Sequence, residues 1–352
     1  MKIVLASDAW HPQVNGVVRT LSATADALRR LGHAVEVIEP SRFWSIPCPT
    51  YPEIRLALGS GAAVGRLLDA ADADAVHIAT EGPIGQAARG WCRRHGRAFT
   101  TSFHTRFPEY VALRSGIPVN WVWPVMRRFH RAAERTFVCT PTLAAELRAR
   151  GIPATYLWPL GVDLGQFNRH VSPHPAMKNL PRPVMINVGR VAIEKNIEAF
   201  LQCPVEGSKV VIGDGPALPL LKTRYPQISF LGARHGAELA ATYAAADVLV
   251  FPSRTDTFGL VNIEALACGV PIAAYPVPGP ADILGPGECG IHGGSARIGA
   301  LDADLGAAIA RALTADRSAA AREAAHYSWD RCTAMFVAGL AARAPAQLER
   351  AA

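Results

Sequence analysis

The chain has 352 residues, half of them hydrophobic and 18% charged, with 36 Lys+Arg against 29 Asp+Glu and a formal net charge of +7. That is apolar material for two sizeable cores, and at this length two domains are the default. No apolar run approaches a membrane-spanning helix, and seven scattered cysteines without a CxxC pair argue against a disulfide framework or structural zinc and for a reducing cytoplasm.

In chain order, "KIVLAS" reads as a buried strand. Its apolar run, Ile3–Ala6, lies between Lys2 and Asp8 with no cleavage site after it, which suits a strand better than a signal peptide. Val17–Leu31 is predicted to be a helix, with apolar Val17, Leu21, Leu28 and Leu31 and a stop at Gly32. "HAVEVIE", "AVHIAT", "AFTTSFH", "TFVCT" and "ATYLWP" read as further strands, with a helix from about Ile84 to His95. This alternation predicts a parallel sheet covered on both faces. "NRHVSPHPAMKNLPRP", Asn168–Pro183, is rich in proline, has no periodicity and reads as a linker. The alternation then restarts through "VMINVG", "KVVIGDG", "ISFLG", "DVLVFPS" and "VPIAAY", with helices near Asn196, near Leu218, over Gly236–Ala245 and around Glu264. The expected fold is therefore α/β. It has two doubly wound, Rossmann-like domains, 1–168 and 184–326, and a helical tail, 327–352, that packs back on the first domain. Ligands of such sheets bind beyond the carboxyl ends of the strands, so the cleft between the domains is the expected site.

Three loops of the second half suit a phosphorylated ligand. In "NVGRVAIEKN" a strand ends at Gly189, and Arg190 and Lys195 follow just before a helix, where two cations can neutralise a diphosphate. A solvated loop with an ion pair to Glu194 explains one such cation equally well. "VIGDGP" places Gly213 and Asp214 in a glycine turn after a strand, a common pattern by itself. "SRTDTFGLVNIEALACGVPIAA" sets Asp256 before a turn, Phe258 and Gly259 at a helix start, and Glu264 one turn in. The helix start offers N–H groups, and the two carboxylates offer acceptors to sugar hydroxyls. Helix capping by Asp256 or Thr257 accounts for one acid but not for Glu264.

These three stretches, in this order and spacing, resemble the retaining glycosyltransferases of family 4, whose GT-B architecture has two Rossmann-like domains facing across a cleft. "SDAWHPQVNGVVRTL", "SFHTRFPEY", "PLGVDLGQF" and "YSWDRC" extend the resemblance over nearly the whole chain. The resemblance reaches bacterial lipid hexosyltransferases and GDP-mannose-dependent mannosyltransferases. It implies that Arg190 and Lys195 hold the diphosphate of a UDP- or GDP-sugar, and that Gly189, Gly213 and Asp214 line the donor. It implies that Asp256 and Glu264, at the E-x7-E positions, bind the sugar and the ribose. Phe258, Gly259 and Leu260 would give backbone N–H groups, Gly16 would approach the diphosphate, and His104 would lie near the anomeric carbon. Asp256 stands where the family usually has Glu, one methylene longer, which bears on the choice of sugar. Taken alone, His104 is also compatible with a hydrogen-bonded structural histidine. The implied chemistry is retention by front-face attack, with no cofactor and no metal. The "DAD" runs at Asp72–Asp74 and Asp302–Asp304 read as turn and cap residues.

The acceptor side is expected in the first half. Residues 1–168 carry 19 Lys+Arg against 13 Asp+Glu, whereas residues 169–352 carry 17 against 16. "NWVWPVMRRFHRAAER" mixes Trp121 and Trp123 with Arg127, Arg128 and Arg131, and "RGWCRRHGR" adds a second basic cluster. Such a mixture suits an anionic membrane surface; it also suits an ordinary surface helix with its apolar face in the core. The expected acceptor is a membrane lipid such as diacylglycerol, Arg106 and Glu109 are candidates to serve it, and the protein would lie in the cytoplasm, peripheral on the inner face of the membrane. Competing readings are a nucleotide-sugar epimerase and a non-catalytic sugar-nucleotide binder. A nicotinamide dehydrogenase is opposed by the lack of GxGxxG after the first strand, and nucleic-acid binding by the lack of any recognisable module.

Overall fold

The computed structural model describes residues 1–13, 15–48 and 51–342. They divide into two units, Met1–Pro159 with the segment from Cys332 onward, and Leu160–Arg331. The first unit runs β1 (Lys2–Ala6), α1 (Gly16–Arg30), β2 (Ala34–Ile38), β3 (Ser45–Cys48), β4 (Tyr51–Ala57), α2 (Ser60–Ala71), β5 (Ala75–Ile78), α3 (Pro83–Arg94), β6 (Thr100–Ser102), α4 (Phe107–Ser115), α5 (Val119–His130), β7 (Arg135–Val138), α6 (Pro141–Ala149) and β8 (Thr155–Leu157). Six strands form one parallel sheet in the order β2-β1-β5-β6-β7-β8. β3 and β4 form a separate antiparallel hairpin that the sequence pattern did not announce.

β1 shows why the sheet is buried on both faces. Ile3 and Leu5 pack with Ala25 and Leu28 of α1, while Val4 and Ala6 pack with Val64 and Leu68 of α2 and Ile84 and Ala88 of α3. Successive strand side chains point to opposite faces, so a continuous apolar run is what a doubly covered strand requires.

The second unit runs β9 (Val184–Val188), α7 (Ile197–Gln202), β10 (Ser208–Ile212), α8 (Leu218–Arg224), β11 (Ser229–Gly232), α9 (Gly236–Ala244), β12 (Val248–Phe251), α10 (Leu260–Ala267), β13 (Ile272–Ala274), α11 (Pro280–Leu284), β14 (Gly299–Leu301), α12 (Leu305–Ala312) and α13 (Arg317–Ala324), followed by α14 (Trp329–Gly339). Its sheet is also parallel throughout, in the order β11-β10-β9-β12-β13-β14. In each sheet the winding starts at a central strand, moves outward and then returns to the other side. The reversal falls between β1 and β5 in the first unit and between β9 and β12 in the second. The loops after those strands diverge, which opens a crevice at the carboxyl edge.

The domain boundaries differ from those expected. The division falls at Pro159, and Asn168–Pro183 is not a linker between the units but part of the second one. Its prolines bar a regular ladder without preventing burial: His174 N donates to Ala241 O at 2.9 Å, and Met177 is buried. The tail also splits. Val162 bridges to Ser328 within the second unit, and the Trp329 ring fills the space where a side chain on Gly161 would stand. From Cys332 onward the chain belongs to the first unit. There Phe336 packs on Phe137 and Trp158, and the Trp158 indole donates to Cys332 O at 3.0 Å.

Candidate functional site

The reversal in the second unit gathers the strongest candidates. Three side chains tie its two loops together: the Asn187 amide donates to Val250 O at 3.1 Å, the Asn196 amide to Pro252 O at 3.1 Å, and the Thr255 hydroxyl to Glu194 O at 3.4 Å. On that frame the Lys195 ammonium, from the loop after β9, donates to Asp256 Oδ1, from the loop after β12. Lys195 is thus paired across the crevice. Asp256 Oδ2 is buried and has no hydrogen-bond partner. Arg190, half-buried, follows Gly189 in the same loop as Lys195.

Gly189 and Gly213 have φ of +144° and +147°, and a Cβ on Gly213 would stand 1.8 Å from Gly189 O. The two loops run backbone against backbone, with Gly189 N donating to Ile212 O and Val191 N to Asp214 O, each at 2.9 Å. Gly213 is therefore required by the approach of another loop, whatever it does for a ligand. Asp214 is exposed, and its carboxylate accepts from Gly215 N at 2.7 Å.

The N-cap of α10 is Gly259, at φ +81°, which has no side chain to accept from the helix's first N–H groups. A Cβ there would meet the Phe251 ring at 2.8 Å. Phe258 and Leu260 bury their side chains and offer only backbone. Glu264 is buried, 2% exposed, and its Oε2 accepts from the Tyr243 hydroxyl of α9 at 3.0 Å. In the "DAD" runs Asp72 is the C-cap of α2 and Asp304 caps α12, accepting from Gly306 N at 2.8 Å, while Asp74 accepts from Lys2 N of β1 at 2.6 Å. Among the described residues no group of three or more His, Cys, Asp or Glu side chains is placed to hold a metal ion.

In the first unit, Gly16 is the exposed first residue of α1, behind Asn15, whose side chain caps the helix by accepting from Val18 N at 3.0 Å. His104 follows β6 by two residues, with the Trp158 ring edge-on at 5.8 Å, and burial pushes its imidazole down to about 4. It is neutral at neutral pH.

Arg106 is paired within the first unit. It grips Glu146 of α6 through two bonds, at 3.2 and 2.7 Å, and Arg150 shares that carboxylate at 3.2 Å. Glu109 lies 4.0 Å from Arg106 and keeps its Oε2 buried without a hydrogen-bond partner. α5 resolves into two faces. Trp123 is 5% exposed, stacks on Phe103 and carries the Arg150 guanidinium 4.2 Å above its ring, so it is a core residue rather than a membrane contact. Trp121, 75% exposed, lies with Val125, Arg127, Arg128 and Arg131 on the outer face. Arg89, counted in the second basic cluster, is buried and caps α5 by donating to Phe129 O and Arg128 O. No helix of the described residues is long and apolar enough to cross a membrane.

Two acids at the first unit's reversal escaped the sequence reading. Asp8, after β1, is buried and caps α3 from across the sheet, accepting from Ile84 N at 2.8 Å, Gly85 N at 3.2 Å and the Thr80 hydroxyl at 2.8 Å. Burial raises its carboxyl pKa against the lowering effect of those bonds. Glu81, after β5, accepts from His130 Nε2 at 3.1 Å. An acid just beyond a buried strand is the signal that could have marked both.

Residues 14–166 match the family model described as Glycosyltransferase Family 4, and residues 173–326 match Glycosyl transferases group 1. The chain is 31% identical over 322 residues to the GDP-mannose-dependent alpha-mannosyltransferase of Mycobacterium tuberculosis, covering 83% of each. It is 25% identical over 317 residues to the Alpha-monoglucosyldiacylglycerol synthase of Streptococcus pneumoniae, covering 79% of this chain and 72% of that one. Among solved structures, sucrose-phosphate synthase from Thermosynechococcus elongatus aligns over the whole of both chains with a TM-score of 0.72 at 23% identity. Anabaena HepE in complex with UDP and glucose aligns over 96% of this chain and 98% of its own, with a TM-score of 0.68 at 16% identity. Those two likenesses show the fold, the GT-B class of two doubly wound domains. With both halves matched in order, and a relative above 30% identity along most of its length, this chain belongs to glycosyltransferase family 4.

Proposed function

We propose that the protein transfers a hexosyl unit from a UDP- or GDP-sugar to a hydroxyl of a membrane lipid such as diacylglycerol, with retention of configuration and without a metal. The observation that carries this reading is the second unit's reversal. Lys195 meets Asp256 there, beside the uncapped start of α10, and a buried Asp256 oxygen is left for a ligand hydroxyl to satisfy. Lys195, Arg190 and the α10 N–H groups stabilise the diphosphate as its charge grows. Asp256 Oδ2 accepts from a sugar hydroxyl. Glu264, its carboxylate oriented by Tyr243, serves the ribose, and the backbone at Phe258, Gly259, Leu260, Gly189, Gly213 and Gly16 lines the donor. In the transfer, the bond from the anomeric carbon to the phosphate oxygen breaks and the bond to the acceptor oxygen forms on the same face. The acceptor proton passes to the departing phosphate. His104, neutral, supplies hydrogen bonding near the anomeric carbon rather than charge.

Two relatives are named for α-linked sugars, an alpha-mannosyltransferase and an alpha-monoglucosyldiacylglycerol synthase, the second for a glucosylated diacylglycerol. The lipid reading rests on the outer face of α5, where Trp121 and Val125 stand four residues apart beside exposed Arg127, Arg128 and Arg131, a pairing that suits an anionic headgroup layer. That surface supports a peripheral position at an anionic membrane, read here as the inner face of the cytoplasmic membrane.

The test uses purified protein, UDP-glucose, UDP-galactose, UDP-glucuronate and GDP-mannose, and phosphatidylglycerol vesicles containing diacylglycerol, with and without a chelator. A glycolipid of the expected mass and α configuration is the expected product, unaffected by the chelator. Nucleotide release without glycolipid would remove the lipid, and no release from any donor would remove the transferase.

A further inference from the structure

We propose that Glu81 grips a hydroxyl of the acceptor and that His130 is the residue that positions it; this rests on the transferase reading above. Glu81 sits in the loop after β5, at the first unit's reversal, beside the loop after β1 and next along the sheet from the β6 loop that carries His104. In a doubly wound sheet this is the place where ligands enter.

The ordinary role of an acid here is to cap the following helix. That role is already filled, because Asp8 takes the Ile84 and Gly85 N–H groups of α3. Among the described residues the Glu81 carboxylate has a different partner, His130 of α5, at 3.1 Å. His130 is wholly buried; its other ring nitrogen lies 3.0 Å from the Thr101 hydroxyl of β6, which lies 3.2 Å from that of Thr136 of β7. A chain of four polar side chains thus runs from the sheet interior to one rim carboxylate. Burying an imidazole is costly unless both nitrogens are satisfied, and a satisfied network holds its members in one geometry. Glu81 has one oxygen anchored by this chain, while its side chain remains 16% exposed. That is a carboxylate fixed in direction by an imidazole and still open on one side. Such a group recognises hydroxyl donors and repels phosphate.

The probe is diacylglycerol in phosphatidylglycerol vesicles, or glycerol if the vesicle lipid accepts nothing. Glu81→Gln keeps an acceptor for His130 and removes the charge. It should raise the acceptor KM about 10-fold or more, the scale of one charged hydrogen bond, with donor KM and melting temperature close to wild type. His130→Gln should move the acceptor KM the same way, and Glu81→Asp should recover part of the loss. An unchanged acceptor KM in Glu81→Gln, an equal rise in donor KM, or a fall in melting temperature alone would overturn the assignment. Nucleotide release with transfer to neither probe would also overturn it. No nucleotide release by the wild-type protein would instead remove the transferase reading on which the assignment stands.

Discussion

The two reversals of winding share a topology and differ in chemistry. In the second unit the loops meet through backbone hydrogen bonds, left-handed glycines and one Lys195–Asp256 pair, beside a helix start whose cap is a glycine. In the first unit the loops meet through buried side chains. Asp8 there closes the start of α3, and Glu81 hangs from His130. A crevice with cations and open N–H groups suits an anion. A crevice whose helix start is occupied by a carboxylate, with a second carboxylate at the rim, suits hydroxyls and disfavours phosphate. On the proposed reading, one supersecondary plan serves two ligands because the side chains placed at the reversal, not the topology, select them.

The contrast is open to attack at several points. Lys195→Met should give the largest effect, a loss in kcat of about 10²–10³-fold, since it removes the charge proposed to meet the departing diphosphate. Acceptor KM should hold in that variant, the mirror image of the Glu81→Gln result; a change in acceptor KM alone would place Lys195 on the wrong side of the comparison. Gly213→Ala comes next. The added methyl would stand 1.8 Å from Gly189 O at a φ of +147°, so it should cost about 3 kcal/mol of stability and weaken donor binding, both read by calorimetry.

The acid side should show the first unit's histidines. The His104 pKa is depressed in the folded chain, so as pH falls below about 6.5 the unfolded chain takes up a proton that the folded chain refuses, and stability drops. Stability is full above that value and lost progressively toward about 4, with about 2 kcal/mol gone from this group by pH 5. His104→Asn should flatten part of the melting-temperature slope, and His77, wholly buried and shifted the same way, should keep the rest. A wild-type melting temperature flat down to pH 4.5 would contradict this. The smallest change in stability belongs to Trp121→Ala, within about 0.5 kcal/mol for an exposed side chain. Its effect should appear instead as weaker sedimentation with anionic vesicles; unchanged sedimentation would separate the outer face of α5 from the membrane.

Much of the second unit's site could be read from the chain because its residues stand in short loops after apolar strands: Arg190 and Lys195 after one, Asp256 and Gly259 after another. Their mutual arrangement could not. Lys195 and Asp256 are 61 residues apart, and they meet only because β9 and β12 lie side by side. In the first unit the side-chain types misled more often. Trp121 and Trp123 look alike in a basic helix, yet two positions along a helix turn a residue most of the way to the opposite face, so one lies outside and the other beneath the Arg150 guanidinium. Arg106 reads as a free cation until α6 brings Glu146 against it.

The sequence by itself determined the repeating strand and helix pattern, the parallel sheets and the candidate cations and acids, because hydrophobic period and turn residues are local properties. Only the tertiary structure decided which of those charges face a crevice and which are spent inside the fold. Pairing and burial depend on residues distant along the chain, and a carboxylate's chemistry is set by what stands against it: an ammonium at Asp256, a helix start at Asp8, a buried imidazole at Glu81.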